Sequence, residues 1–184
     1  MPPIWKRSPV NENPLGYRKH EVPAERIDQI QEYLISNTLR VYCDTSYRQN
    51  EGIYGVASSF VGFNSVIVHD DKIYSKLVAH SIFGELCALK LALLKLPKHV
   101  TNIQRPDGVI LFSDHDKIQY ILENSVRKYK VIIDPIITEI NSLLHQLKVS
   151  LNVDIEIRYL GADKRHNPFY KSAHNASRKA IGIL

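Results

Sequence analysis

Apolar and polar positions recur along the chain with changing period, and each period predicts an element. Residues 1–20 show none: Pro2, Pro3, Pro9 and Pro14 stand among polar residues, which reads as an extended arm. Pro23 suits the first turn of a helix, and Ile27, Ile30 and Leu34 then repeat at helical spacing until Asn37 ends it, so this helix docks one face on the domain. Strand character follows at residues 40–44, 52–62 and 65–74, punctuated by turn-forming residues at 47–52 and 70–72. Short connections between consecutive strands imply an antiparallel meander of three. Over residues 80–96 the pattern is helical, with Ile82, Leu86, Leu89 and Leu93 on one side and Pro97 as the stop. The apolar run at 109–113 comes after this helix and can therefore run parallel to the first strand. A short helix carries Ile118, Tyr120, Ile121 and Leu122, and a second carries Ile136, Ile140, Leu143, Leu144 and Leu147. A strand at 153–160, a loop at 161–167 and a helix from 168 to about 181 complete the chain.

The predicted order is βββ-α-β-α-α-β-α behind an N-terminal helix, an α/β chain without internal repeats or low-complexity tracts. With 184 residues, 44% of them hydrophobic, the chain can bury one good core and not two. It divides into an arm and helix at 1–38 and a domain at 39–184.

Three acids stand in otherwise apolar settings. Asp44 closes the run that begins at Leu39, and Asp114 follows the run that ends in Phe112 and Ser113. Aspartate also favours the first position of turns, which would account for both. Glu85 is harder to dismiss as an ordinary residue, because it shares a helical face with Ala88, Leu89 and Ala92, where a solvated glutamate does not belong. Burying three ionised carboxylates together is costly unless a cation or a proton compensates. Magnesium wants oxygen ligands, and two such ions, roughly 3.5–4 Å apart in known sites, can activate a water and stabilise a leaving oxygen of a phosphodiester.

From about Leu39 to the C-terminus the sequence resembles the ribonuclease H family, of type 1 and reverse-transcriptase-like kind. The family's element order matches. Its first-strand aspartate corresponds to Asp44 in Val41-Tyr42-Cys43-Asp44-Thr45-Ser46, and Gly52-Ile53-Tyr54-Gly55-Val56-Ala57 is similar to its second strand. Its helix glutamate corresponds to Glu85 in Glu85-Leu86-Cys87-Ala88-Leu89, and its fourth-strand aspartate to Asp114 in Phe112-Ser113-Asp114. The resemblance implies a three-layer fold, in which a mixed five-stranded sheet of three antiparallel and two parallel strands has helices on both faces. It also implies a metal-dependent endonuclease that cuts the RNA strand of an RNA–DNA hybrid with two divalent ions, Mg2+ or Mn2+.

The C-terminal end departs from that pattern. The family places a histidine in the loop after the last strand and a fourth aspartate in the last helix. Here Asp163 stands where the histidine is expected and His174 where the aspartate is, although His166 could instead serve as the loop histidine. The resemblance thus implies Asp44, Glu85, Asp114 and His174 as catalytic residues and metal ligands, with the fourth position altered. Lys164, Arg165 and Arg178 lie beside this site and could grip phosphates, although a solvated helix face explains them almost as well. Ser46, Gln49 and Asn50, in the turn after the first strand, and Asp116 are further candidates for contacts with nucleic acid.

Lysine and arginine exceed acids by 24 to 19, a modest excess that suits a polyanionic partner without requiring one. Cys43 and Cys87 lie in apolar runs without metal-ligand spacing, as core residues in a reducing compartment do. No apolar run approaches the length of a membrane span, and the N-terminus lacks the apolar core of a signal peptide, so a cytoplasmic protein is expected. Two other functions are compatible with these residues: a catalytically silent module binding nucleic acid or protein, and a related nuclease for branched or single-stranded DNA. Retention of three mutually repelling acids argues against the silent module.

Overall fold

The computed structural model describes residues 22–48, 51–75, 81–101 and 104–183. The expected arm, with Trp5 and Tyr17, and the candidates Gln49 and Asn50 lie outside the described residues. Helix α1 (Ala24–Ile35) precedes strands β1 (Thr38–Arg48), β2 (Ile53–Gly62) and β3 (Ser65–Tyr74). Then come α2 (Ser81–Lys95), β4 (Gly108–Ser113), α3 (Ile118–Asn124), α4 (Lys130–Leu151), β5 (Ile155–Tyr159) and α5 (Pro168–Ala180). The five strands form one mixed sheet in the order β3-β2-β1-β4-β5. β1, β2 and β3 are antiparallel neighbours, whereas β4 runs parallel to both β1 and β5. This is the α/β architecture that the resemblance implied.

Strand alternation sorts the sheet into two faces. Leu39, Val41, Cys43, Val109 and Leu111 point into a large core shared with α2, α3 and α4. Tyr42 and Val61 point the other way, into a smaller core with Ile30 of α1, Leu160, and Phe169 and Tyr170 of α5. β2 is buried along its whole length between these layers, while β3 is an edge strand with Val66, Ile67 and Val68 exposed. Of the apolar series expected to dock α1, Ile30 is fully buried and Ile27 and Leu34 are half-buried.

Two segment boundaries differ from the expectation. β1 does not stop at Asp44 but runs on to Arg48, because residues 44–48 keep pairing with β2 through Asp44↔Ala57 to Arg48↔Ile53. Ser46 therefore lies in a strand and not in a turn. β3 likewise passes straight through Asp70, Asp71 and Lys72, which pair with Ala57, Val56 and Gly55. On an exposed edge strand, charged residues are solvated on the outer face and need no turn.

Two glycines decide how closely the helices approach the sheet. A Cβ on Gly84 would lie 2.4 Å from Thr45 Oγ1, so α2 crosses β1 at that point with almost no gap. A Cβ on Gly55 would lie 1.9 Å from the carbonyl oxygen of Ser177, where α5 presses on β2 from the opposite face.

Candidate active site

The parallel pairing of β1 with β4 ends at Tyr42↔Phe112. Continued two residues further, the same register would set Asp44 opposite Asp114, but β4 ends at Ser113 while β1 goes on with β2. The two strands part at this point, and the carboxylates face each other across the opening. Glu85 arrives from α2 in the residue after Gly84, so the close helix crossing brings its carboxylate to the same opening. One ligand oxygen from each of Asp44, Glu85 and Asp114 lies within 4.8 Å of the others. Among the described residues, this is the only group of three or more acids, histidines or cysteines so disposed.

Each carboxylate is held by protein donors. Glu85 is 4% exposed and accepts a hydrogen bond from Ser113 Oγ at 2.6 Å. Its burial, reinforced by the charge of Asp114, pushes its carboxyl well above the usual range. Burial also raises Asp44, against hydrogen bonds from Ser177 (2.7 Å) and Tyr170 (2.8 Å) that favour its charged form. Asp114 behaves differently. Burial would raise it, but Lys164 Nζ at 2.9 Å, together with the Tyr170 hydroxyl, holds its carboxyl below the ordinary value. Three carboxylates at this spacing offer hard oxygen donors that fit a divalent ion.

His174 sits beside this group. Its Nδ1 lies 3.2 Å from Asp44 Oδ2, and its side chain is 42% exposed, so the ring borders both the acids and the solvent. Asp163, the residue in the place of the family's loop histidine, is not part of the cluster. It receives an ion pair from Arg26 of α1 at 2.7 Å and a hydrogen bond from Tyr33 at 3.2 Å, which ties the 161–164 turn to the N-terminal helix. His166 lines the same cleft against α1, with Arg26 and Tyr33, and Arg165 Nε donates to its Nε2 at 3.2 Å.

The remaining candidates are distributed around the acids. Ser46 Oγ is 2.8 Å from Ser177 Oγ and so reaches Asp44 through one intermediary. Asp116 borders a polar cleft of about 860 Å3 next to Asp114, shared with His115, Lys117 and Arg127. Lys164 and Arg165 are exposed, and Arg178 is half-buried, its Nε without a hydrogen-bond partner among the described residues. An apolar cleft of about 610 Å3 between β3, α2 and α4 contains none of the acids.

Sequence reasoning missed Tyr170 and Ser177. Both belong to α5, whose start is fixed by Asn167: the side chain accepts from the backbone N–H groups of Phe169 (2.9 Å) and Tyr170 (3.0 Å) ahead of Pro168 at the first turn. The one available signal was helical spacing, because Tyr170, His174 and Ser177 fall at intervals of four and three and so share a face.

No protein-family model and no curated protein matches the sequence. Solved structures do. Ribonuclease H1 from the halophilic archaeon Halobacterium salinarum superposes with a TM-score of 0.57 at 17% identity, covering 80% of this chain and 99% of its own. LC11-RNase H1, isolated from compost, gives 0.59 at 16% identity over 79% of this chain and 96% of its own. The same enzyme in complex with an RNA/DNA hybrid gives 0.52 at 15% identity over 78% of this chain and 99% of its own. The chain has the ribonuclease H fold.

Proposed function

We propose that this chain is a metal-dependent endonuclease that hydrolyses the RNA strand of RNA–DNA hybrids. The observation that carries the reading is the convergence of Asp44, Glu85 and Asp114 from three separate elements onto one opening. Its position on a ribonuclease H fold, one solved example of which holds an RNA/DNA hybrid, supports the substrate class. Asp44, Glu85 and Asp114 would hold two Mg2+ or Mn2+ ions, with His174 as the fourth ligand. Bound there, such ions supply an activated water and charge stabilisation at the leaving oxygen.

The chain's own residues do the rest. Asp44 and Asp114 present oxygens from the rigid sheet, and Glu85 adds one from a helix locked onto β1, so the ligand set is fixed before substrate arrives. Lys164, Arg165 and Arg178 would grip backbone phosphates, and such contacts set register without reading sequence. Ser46 and Asp116 border the site and are candidates for contacts to the hybrid, whose 2′-hydroxyls distinguish RNA from DNA.

A second reading, a silent nucleic-acid-binding module, is favoured by one observation: Lys164 and Tyr170 occupy oxygens of both Asp44 and Asp114. Matched hybrid, duplex RNA and duplex DNA, each incubated with Mg2+ or Mn2+, separate the two. Cleavage of the hybrid's RNA strand, lost in Asp114→Asn by at least about 100-fold as expected for removal of a group that stabilises transition-state charge, supports the nuclease. Cleavage at the same rate in Asp114→Asn would reject it, and binding of hybrid without cleavage would leave the silent module. Preferential cutting of duplex or branched DNA would replace the hybrid as substrate.

A further inference from the structure

Tyr170 and Lys164 occupy an unusual position relative to the acids. Tyr170 Oη lies 2.8 Å from Asp44 Oδ1 and 3.0 Å from Asp114 Oδ2, so it bridges the two aspartates that the open sheet brings face to face. A phenol carries one proton, so the two carboxylates share a single donor. Asp114 Oδ2 receives its second partner from Lys164 Nζ at 2.9 Å, and that ammonium also lies 5.1 Å from the centre of the Tyr170 ring. Together the hydroxyl and the ammonium place one full positive charge and two donors among three acids, the role a divalent cation would otherwise fill.

We propose that Lys164 and Tyr170 form a resident clamp, which holds Asp44 and Asp114 in the metal-free protein and competes with a divalent ion for the same oxygens. The proposal rests on the reading of the three acids as a metal site. The two members differ in freedom. Tyr170 is 7% exposed and is anchored one turn into α5 behind the Asn167 cap, so its hydroxyl stays in place. The Lys164 side chain is 53% exposed and can leave by rotating into solvent. Lys164 is therefore the exchangeable member of the clamp and Tyr170 the fixed one, its hydroxyl occupying Asp44 Oδ1 and Asp114 Oδ2. Once off Asp114, the ammonium needs another anion, and a phosphate of a bound strand is the nearest chemical equivalent. The same side chain then opposes metal binding in the free protein and favours substrate binding afterwards.

The test is direct titration of the metal-free protein with Mn2+ by calorimetry at one neutral pH, without nucleic acid. Lys164→Met removes the charge and one charged hydrogen bond, and should tighten Mn2+ on the order of tenfold. Tyr170→Phe removes only the bridging hydroxyl and should tighten it several-fold, about half of that effect on a logarithmic scale. Lys164→Arg keeps the charge and should bind like the wild type, which a purely structural role for the side chain would not predict. Unchanged or weaker Mn2+ binding in both Lys164→Met and Tyr170→Phe would overturn the clamp while leaving the metal site standing. Absence of Mn2+ binding in the wild type and all three variants would instead remove the metal site, and the clamp with it.

Discussion

Gly84 of α2 packs on Thr45 of β1 so tightly that a methyl group at Gly84 would fall 2.4 Å from Thr45 Oγ1 and 2.8 Å from Thr45 Cγ2. Both branches of the threonine are too close and Oγ1 donates to the Gly55 carbonyl at 3.2 Å, so rotating the side chain relieves at most one contact and gives up that hydrogen bond. Gly84→Ala adds about 1 kcal/mol of helix propensity, but overpacking costs about 1–3 kcal/mol, and the second effect should win. Chemical denaturation should report a net loss of stability and calorimetry a weaker divalent-metal affinity, because α2 carries Glu85. Adding Thr45→Ala should recover most of both losses; a double variant no better than Gly84→Ala would show that the helix approach is set elsewhere.

Glu85 makes the metal-free protein sensitive to pH. Its folded carboxyl is raised by burial and by Asp114, so the folded state takes up the proton more readily than the unfolded chain. The stabilising contribution is therefore complete below the ordinary glutamate range and disappears as pH rises through the raised folded value. Metal-free protein should lose melting temperature over that interval, and Glu85→Gln should flatten the curve. A wild-type curve that rises with pH over the same interval, or one that Glu85→Gln leaves unchanged, would contradict this assignment.

His174 controls the metal preference if it is a ligand, because neutral imidazole in place of a carboxylate removes one negative charge. Mn2+, which accepts nitrogen more readily, should then support activity better than Mg2+ in the wild type. His174→Asp should move the preference toward Mg2+, and His174→Ala should raise the concentration of either ion needed. Three superimposable metal-activation curves would leave Asp44, Glu85 and Asp114 as the whole ligand set.

Away from the site, His99 stacks on Phe60 with ring centres 4.0 Å apart, and its Nε2 lies 2.8 Å from that of His69. Burial, the neighbouring His69 and Lys98 lower its pKa to about 4. A histidine depressed on folding contributes stability at neutral pH that is lost as pH falls from its ordinary range near 6.5 toward 4. His99→Phe keeps the ring stack and removes the titration, so its urea midpoint should vary less over this interval. A slope identical to the wild type would assign the acid lability to other groups.

The order of helices and strands was legible in the sequence because it depends on local chemistry: alternating four- and three-residue spacing from Ile82 to Leu93, and an apolar run too short for a helix at 109–113. The three acids were legible for the same reason, each standing out against an apolar neighbourhood of its own element. Strand ends were less so. Asp44 lies within β1 and not at its close, because pairing with β2 continues past it, and pairing is a property of the partner as much as of the strand.

The environment of the acids was decided only by the tertiary structure. Tyr170 and Ser177 reach Asp44 from 126 and 133 residues away, and Lys164 reaches Asp114 from 50. Asp163, which resembles a displaced site residue in the sequence, is taken by Arg26 from 137 residues away. No local pattern encodes such partners, since a carboxylate in the chain carries no mark of what will face it. Which acid stays ionised, which tends to keep a proton and which is spent on an ion pair follow from where α1, α2 and α5 come to rest on the sheet, positions that close packing at Gly55 and Gly84 sets to within a fraction of a side chain.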